Sequence, residues 1–233
     1  MPDDLAKHLC WHCNEEAGMG HFCGHCVKLQ PLCYKEDYFR FMGFERRLQL
    51  DPKKLEETFY TLSRKFHPDF YQDKSEKEKA FSLERSAVLN NAYQVLKDPV
   101  QRTEYLLNLE FPLPEKERTK APTTLLQEIF EIQEVLESYR EAKNAGDPKR
   151  LGSLKVEADK VSRDVLEKIR QREKALEVAS AEWDRLVSNR FSSPEALKEA
   201  KLEQAQKLRS ILDELTYLRT LLQSIQTGGP VIH

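Results

Sequence analysis

The stretch 64-RKFHPDFYQDKSEKEKAF-81 decides how the middle of this chain is organised. Pro68 disfavours helical geometry at the residue before it, so the helix that leads into the stretch must end near Phe66. That helix is predicted to begin at Asp51-Pro52, a capping side chain followed by proline at the first helical position. Between these ends, apolar residues recur at steps of four, three and four, which makes one buried helical face: Leu55, Phe59, Leu62 and Phe66.

A second apolar stripe follows the stretch and predicts a second helix that ends at Asp98-Pro99. Its members are Phe81, Leu89, Ala92, Tyr93 and Leu96. A shorter amphipathic piece comes next, with Arg102, Tyr105, Leu106 and Leu109. The polar loop 67–77 joins the first two helices, so we predict an antiparallel helical hairpin that presents His67-Pro68-Asp69 in its loop.

The composition favours an all-α protein. Of the 233 residues, 33% are charged, 39% are hydrophobic and only 8 are glycine, and no runs of alternating β-branched residues occur. The formal net charge of −2 provides no overall basic field, so nucleic acid is not expected as a partner. No apolar run has the length of a membrane span, so no membrane partner is expected either.

The C-terminal half has the sequence signals of three long helices joined by short loops. Thr124 and Gln127 have capping-box spacing, Gly146 precedes a second start at Asp147-Pro148, and Ser193-Pro194 starts the last helix. Three inner faces follow from the apolar spacing: Leu125, Ile129, Ile132, Leu136 and Tyr139; then Leu154, Ala158, Val161 and Val165; then Leu208, Leu212, Leu215, Leu218 and Leu222. We predict an antiparallel three-helix bundle.

These patterns divide the chain into five segments. A cysteine-rich module occupies residues 1–34, and the hairpin unit occupies 35–110. A linker rich in proline and charge follows at 111–122, where helices are not expected to continue. The bundle covers 123–226, and 227–233 is a tail.

Four of the five cysteines form two Cys-x-x-Cys pairs separated by nine residues: Cys10, Cys13, Cys23 and Cys26. Four thiolates can surround one tetrahedral zinc ion, with sulfurs about 2.3 Å from the metal. A segment this short cannot bury a core of its own, so a metal would fold it. We predict a structural zinc site without catalysis, because four cysteines leave no open position for a substrate.

Two other interpretations of the cysteines stay open. A thiol–disulfide redox pair would need a βαβ context that the sequence does not show, and iron in a rubredoxin-like site is the further option. Four neighbouring histidines are expected to stay out of the shell that the cysteines already complete: His8, His12, His21 and His25. Cys33 is interpreted as a spare thiol.

His67-Pro68-Asp69 has two interpretations from the residues alone, besides a functional docking loop. It could be only a helix end followed by a polar turn, since Pro-Asp is common in turns. It could also supply a hydrolytic dyad of His67 and Asp69, but no nucleophile or oxyanion donor is recognisable nearby.

Three phrases resemble a J-domain over residues 37–109: YFRFMGF (38–44), LEETFYTLSRKFHPDF (55–70) and LNNAYQVLKDPVQRTEYLL (89–107). J-domains dock onto DnaK-type chaperones and stimulate their ATPase. The resemblance implies that His67, Pro68 and Asp69 form the essential loop. It also implies that Arg64 and Lys65 lie on the docking helix.

One apolar pair stands beside the bundle seam rather than on it. Leu126 and Phe130 are four residues apart, and Glu131, Glu134 and Glu137 follow. They could pack at the edge of the seam, with the acids as a solvated face. They could also form an apolar patch with an acidic rim that suits a partner protein.

The phrase LLQEIFEIQEVLESY (125–139), behind a J-domain, resembles the HscB-type co-chaperones of iron–sulfur cluster assembly. These non-enzymatic proteins bring an IscU-type scaffold protein to a dedicated DnaK-type chaperone. The resemblance implies a client-binding face that includes Leu126, Phe130, Glu131, Glu134 and Tyr217. Gln127 is polar where such proteins often have an aliphatic residue, which would make this face smaller.

The cysteine module resembles an extension present in some members of that family, chiefly eukaryotic ones. Because the chain starts with Met and shows no transit peptide, a bacterial cytoplasmic location is expected, with the mitochondrial matrix as the alternative. Two rival functions are a general J-protein that delivers unfolded clients and a zinc-dependent adaptor.

Overall fold

The protein is represented by a computed structural model that describes residues 9–18, 20–33, 36–112, 126–146, 148–189 and 193–227. In these ranges the regular elements are seven α-helices and one 3₁₀ turn, so the predicted all-α fold class is confirmed. The helices are α1 (Tyr38–Phe41), α2 (Pro52–Phe66), α3 (Glu76–Lys97), α4 (Pro99–Glu110), α5 (Leu126–Ala145), α6 (Pro148–Ser188) and α7 (Pro194–Thr227). None of the helices in the described ranges has the apolar length that crossing a membrane requires.

Local capping chemistry sets the helix ends of the hairpin. The Asp51 side chain accepts a hydrogen bond from the Lys53 N–H, and α2 ends at Phe66, both as predicted. Ser75 caps α3, so the loop after α2 is 67–75, two residues shorter than the predicted 67–77. The loop is shorter because Ser75 and Glu78 occupy the two positions of a capping box: Glu78 N donates to Ser75 Oγ, and Ser75 Oγ rather than Ser75 N donates to Glu78 Oε2.

The first compact unit, Met1–Arg102, contains the hairpin of α2 and α3. Its core is apolar and includes side chains of α1 to α3: Phe39, Phe41, Leu55, Leu62, Phe66, Leu89, Ala92 and Leu96. Phe59 and Tyr93 stack across the hairpin with their ring centroids 4.3 Å apart. The stripes read from the sequence therefore face each other across this core.

The second compact unit, Thr103–His233, contains α5, α6 and α7. The helix α7 runs antiparallel to α6, since Gln204 Nε2 donates to Ala179 O while Arg219 near the other end of α7 pairs with Glu173. Buried side chains line the contact: Val165, Ile169, Leu176, Trp183, Leu208, Leu212, Leu215, Leu218 and Leu221. Leu222, expected to point inward, is half-buried, and its neighbour Leu221 is buried instead.

The end of α5 follows the prediction where it is described. Gly146 adopts a φ of +67°, the left-handed conformation in which glycine ends a helix without a steric cost, and α6 begins at Pro148. Thr124 and Asp147 lie outside the described residues, as do the side chains of the predicted seam of α5 before Tyr139.

The division between the two units falls within α4, between Arg102 and Thr103. In the second unit, Glu110 pairs with Lys201 Nζ at 3.0 Å, and the Phe111 ring meets the Trp183 ring edge-on at 6.4 Å. The end of α4 therefore packs with the C-terminal helices. The segment boundaries proposed from the sequence stay predictions, and most of the expected linker lies outside the described residues.

Candidate functional sites

The His67-Pro68-Asp69 loop is a short, hydrogen-bonded turn. His67 leaves the helical conformation, with φ −59° and ψ 126°, and Pro68–Tyr71 form a 3₁₀ turn. Phe70 N donates to His67 O at 3.0 Å, and Asp69 N donates to His67 Nδ1 at 3.3 Å. Because proline has a fixed φ and no N–H, Pro68 both ends α2 and begins this turn.

The underside of the turn is anchored to the hairpin. Tyr71 is buried, and its hydroxyl donates to Lys65 O at 3.0 Å. The carbonyl oxygen of Phe66 accepts from Ser82 Oγ at 2.6 Å and from Ser86 Oγ at 2.9 Å. These contacts satisfy carbonyls that the end of α2 leaves without helical partners, so the turn has a fixed base.

The outer side of the turn is open to water. The His67 and Asp69 side chains are 50% and 71% exposed, and His67 Nδ1 lies 3.5 Å from Asp69 Oδ2. Arg64 and Lys65 on the last turn of α2 are exposed as well. In the described part of the chain no hydroxyl or thiol bonds to the His67 ring, so the geometry offers a docking surface and gives a hydrolytic dyad no nucleophile.

One residue of this surface, Phe70, was not predicted from the sequence. Phe70 is 65% exposed, and its ring meets the His67 ring edge-on with centroids 6.2 Å apart. Its position directly after His67-Pro68-Asp69 was the available signal.

The two cysteine pairs converge, as predicted. The ligand atoms of Cys10, Cys13, Cys23 and Cys26 all lie within 4.8 Å of one another. Sγ of Cys10 is 3.6 Å from Sγ of Cys26, and Sγ of Cys13 is 3.8 Å from Sγ of Cys23. A tetrahedron with metal–sulfur bonds of about 2.3 Å has edges of about 3.8 Å. The sulfur positions therefore fit a tetrahedral ion, and they are too far apart for disulfide bonds, which measure about 2.05 Å.

The two halves of this cluster have the same backbone conformation at positions 13 residues apart. This repeat was not predicted from the sequence. Two isolated antiparallel bridges, Leu9↔Glu16 and Phe22↔Leu29, close the two loops. In each loop the N–H two residues after the first cysteine donates to its sulfur at 3.4 Å, from His12 to Cys10 and from His25 to Cys23. Asn14 and Val27, each directly after the second cysteine, both have a positive φ, 60° and 58°. We call each half a knuckle, residues 9–16 and 22–29.

Ionisation of one thiol opposes ionisation of its neighbours when no cation lies between them. Burial opposes ionisation of Cys10, but the N–H groups of Cys13 and His12 and the neighbouring thiols lower the pKa of Cys10 to about 6. The pKa of Cys13 is raised to about 12: the backbone N–H of Glu15 favours its thiolate, but burial and the three other cysteines together outweigh it. A metal ion removes this conflict because it stabilises all four thiolates together.

In the described residues the group of ligand atoms consists of the four cysteines, and His21 packs elsewhere. The ring of His21 packs edge-on against Phe41 and Phe66, each at 4.9 Å, and its Nδ1 lies 2.6 Å from Arg85 Nη1. Burial and the charge of Arg85 lower the pKa of His21 to about 4, so the ring is neutral and accepts this bond. Cys33 is exposed, and in the described residues it belongs to no group of ligand atoms close enough to share a metal ion. His8 lies outside the described residues.

The predicted client-binding face is described in part. Phe130 is 69% exposed, and Glu134 and Glu137 are exposed one and two turns further along α5. Tyr217 on α7 is half-buried, and this burial raises the pKa of its hydroxyl. The side chains of Leu126 and Glu131 lie outside the described residues. An exposed ring beside acids fits the patch interpretation for Phe130, and the full residue set stays a prediction.

Comparisons with known proteins agree on the family. Residues 37–105 match the DnaJ domain family. The chain is 42% identical over 132 residues to the iron-sulfur cluster co-chaperone protein HscB of mouse, covering 54% of this chain and 56% of that protein. It is 35% identical over 127 residues to the Arabidopsis thaliana homologue, covering 54% and 50%. The match thus spans about half the length of these curated relatives.

A solved structure resembles the chain over a longer range. The crystal structure of human co-chaperone protein HscB superimposes with a TM-score of 0.65 at 26% sequence identity. That match covers 94% of this chain and 98% of the human chain. The likeness therefore includes the helices beyond the DnaJ domain.

Proposed function

Because this chain is an HscB-type J-domain protein, we propose that it is a co-chaperone of iron–sulfur cluster assembly. In this proposal it recruits an IscU-type scaffold protein to a DnaK-type chaperone and stimulates the ATPase of that chaperone. The single observation that carries the proposal is the His67-Pro68-Asp69 turn, anchored beneath by Tyr71 and exposed above. The protein itself performs no catalysis in this scheme.

The docking step uses the exposed end of α2. Arg64 and Lys65 provide positive charge beside the turn, which accelerates encounter with an acidic surface on the chaperone. The Asp69 carboxylate is 71% exposed, and beyond a long bond from Gln72 Nε2 at 3.4 Å it has lone pairs left to accept charge-assisted hydrogen bonds from the partner. Because the turn is already ordered, docking loses little conformational entropy.

The client step uses the bundle. We propose that Leu126, Phe130, Glu131, Glu134 and Tyr217 hold the scaffold protein, with the exposed Phe130 ring as the apolar anchor. ATP hydrolysis would then trap the scaffold on the chaperone and ease release of its cluster. The cluster is cargo and is not bound by this chain.

The four-cysteine site is proposed to hold one structural zinc ion. Its sulfur positions fit the tetrahedron that zinc prefers, and four protein ligands close the shell. Iron in the same site is the competing assignment, which metal analysis distinguishes. For the compartment, the mouse and plant origins of the relatives favour the mitochondrial matrix over the bacterial cytoplasm.

The deciding experiment is single-turnover ATP hydrolysis by a DnaK-type chaperone, with this protein, in the presence and absence of an IscU-type scaffold. Stimulation that rises synergistically with the scaffold supports both halves of the proposal. Stimulation that is the same with and without the scaffold points to a general J-protein, especially if this protein binds denatured chains as well as it binds the scaffold. An absence of stimulation would mean that His67-Pro68-Asp69 is only a turn.

A further inference from the structure

The cysteine module lacks a hydrophobic core of the ordinary kind. Its buried cluster consists of Cys10, Ala17 and Cys23, with Cys13 and Cys26 packed beside them. The other buried side chains of residues 9–30 are Leu29 and Gln30, so the module itself contributes few apolar contacts. Its fold would therefore depend on a metal ion that holds the four sulfurs together.

This module packs against the side of the hairpin that carries the loop, and it contacts the entry to the loop. His21 lies against Phe66 at 4.9 Å, and Phe22 stacks on the same ring at 6.2 Å. Phe66 is the last residue of α2 and directly precedes His67. The module therefore helps to hold the last residue of α2 in position.

It also contacts the exit of the loop, at the first turns of α3. Lys28 Nζ binds Glu78 Oε1 at 2.9 Å, in a pair whose carboxylate is 7% exposed. Glu78 is the same residue that forms the capping box with Ser75. Trp11 meets Phe81 edge-on at 5.9 Å and lies under Lys77 Nζ at 5.7 Å.

Arg85 joins these two contacts. It is 2% exposed, and its guanidinium donates to Gln30 O at 3.0 Å, to Pro31 O at 3.1 Å and to His21 Nδ1 at 2.6 Å. Gln30 in turn donates from Nε2 to Cys10 Sγ at 3.3 Å. A buried guanidinium with acceptors on the module is costly to leave unpaired, so Arg85 holds the module to α3 only while the module is folded.

We propose that the metal-bound module is a positioning device for the His67-Pro68-Asp69 loop, with Arg85 and Lys28 of this chain as its positioning residues. The inference rests on the proposed docking role of that loop. Metal occupancy sets the geometry of the module, and the module holds Phe66 on one side of the loop and Glu78 on the other. Loss of the metal therefore loosens the loop, which lowers its affinity for the chaperone.

Backbone amide hydrogen exchange tests this inference without any chaperone. The full chain is compared with its metal bound, after removal by a chelator, and after Zn²⁺ is added back. We expect exchange in residues 66–82 to rise about tenfold or more on metal removal and to recover with Zn²⁺, since local opening controls exchange. Exchange in α6 and α7 serves as the internal control. If residues 9–33 open while 66–82 keep their protection, the proposal is wrong.

A matched pair of variants isolates the contact from the metal. Lys28→Met and Lys79→Met each remove a lysine that pairs with a glutamate in the first turn of α3, Glu78 and Glu76 respectively. Only Lys28 belongs to the module. We expect Lys28→Met to speed exchange at 76–82 about threefold to fivefold, and Lys79→Met to leave it unchanged. Lys28→Arg should restore the protection, because arginine preserves the ion pair.

The ATPase assay gives the second readout. Lys28→Met is expected to raise the concentration for half-maximal stimulation about threefold while the maximal stimulation stays the same. Equal half-saturating concentrations for Lys28→Met and Lys79→Met, with equal exchange, would overturn the positioning role. If the unmodified protein does not stimulate the chaperone, the proposed function fails, and the exchange measurements still decide the inference.

Discussion

Asp69 donates its backbone N–H to Nδ1 of His67 across the proline between them, at 3.3 Å. In the neutral ring this bond places the histidine proton on Nε2. The two chemical roles of the turn are thereby separated: His67 orders the backbone of Asp69, and the Asp69 carboxylate is largely exposed to a partner.

Asp69→Asn should remove ATPase stimulation and leave the fold intact. The substitution deletes the charge of a side chain that is 71% exposed and preserves its size, so the free energy of unfolding should barely change. We expect stimulation in the single-turnover assay to fall tenfold or more, roughly the effect of losing one partner of a charged docking pair. Asp73→Asn, an equivalent change in the same exposed loop, is the control and should keep full stimulation. Stimulation unchanged in Asp69→Asn would contradict the docking role.

Leu126→Ala combined with Phe130→Ala should weaken scaffold binding. Phe130 is 69% exposed, so its truncation removes a contact for a partner more than it removes core packing. Binding measured by calorimetry should weaken by about 10- to 100-fold, as for loss of an apolar anchor, with basal ATPase stimulation retained. Val178→Ala, which truncates a 57% exposed apolar residue on α6, is the control. Equal scaffold affinity in the double variant would assign the pair to the bundle seam.

Metal analysis should find about one zinc ion per chain, as expected for four thiolate ligands. Replacing Cys23 with serine should abolish this occupancy, because the remaining ligands cannot close the tetrahedron. Cys33→Ser should have no effect, since Cys33 is exposed and outside the cluster. Elemental analysis of the purified protein gives the answer. Iron in place of zinc, or disulfides without metal, would contradict the assignment.

Ser75→Ala should destabilise the first unit by about 1 kcal/mol, the typical cost of losing a serine N-cap. Ser75 Oγ accepts from Glu78 N at 3.4 Å and donates to Glu78 Oε2 at 2.9 Å, so both bonds of the capping box disappear together. Urea unfolding, with hydrogen exchange of α3 as the probe, measures the change in the free energy of unfolding. Ser75→Thr preserves the hydroxyl and should recover most of the loss. If the alanine and threonine variants unfold at the same urea concentration, the cap contributes nothing.

Acid should destabilise the start of α3 through Glu78. Burial alone would raise the pKa of Glu78, but hydrogen bonds from Lys28 and Ser75 outweigh it and hold this pKa below its usual value. A carboxyl group with a lowered folded-state pKa stabilises the fold above its unfolded pKa, about 4.3, and this contribution is lost as pH falls through the lowered value. The protection of the amides at 76–82, taken as the measured exchange rate relative to the intrinsic rate at each pH, should therefore fall at the acid end of a series from pH 6 to pH 3. Glu78→Gln should flatten the profile; an identical acid response in that variant would rule out Glu78 as its source.

Helix ends were the features that the sequence predicted best. Asp51-Pro52, His67-Pro68 and Ser193-Pro194 act through the backbone of adjacent residues, and each lies at a helix boundary in the structure. The cysteine cluster was predictable for a similar reason, because two short spacings bring four identical ligands together. Helix caps and ligand spacings depend on neighbouring residues, so they can be predicted without knowing which distant residues are in contact.

The docking of the cysteine module onto the hairpin was not predictable. Arg85 and His21 are 64 positions apart, and Lys28 and Glu78 are 50 positions apart, so no periodicity links them. His21 was expected to be a bystander of the metal site, and it does stay out of the shell, but it packs between two core phenylalanines. The one available signal was the position of Arg85 on the apolar stripe of α3, four residues after Phe81 and four before Leu89. Arginine on a helix is ordinarily solvated, so this position alone does not predict a buried contact.

The 13-residue repeat of the knuckles gives the metal site an approximate two-fold axis, with each half supplying an identical pair of sulfurs. Besides its cysteines, neither half buries more than one large apolar side chain, Leu29 in the second half, so neither would fold alone. The nine residues between the pairs act as a tether that keeps the second pair at a high effective concentration once the first has bound. Each cysteine pair would thus bind the ion as a bidentate ligand. Because the four sulfurs form one site, few molecules should hold an ion through one cysteine pair alone at intermediate metal concentrations.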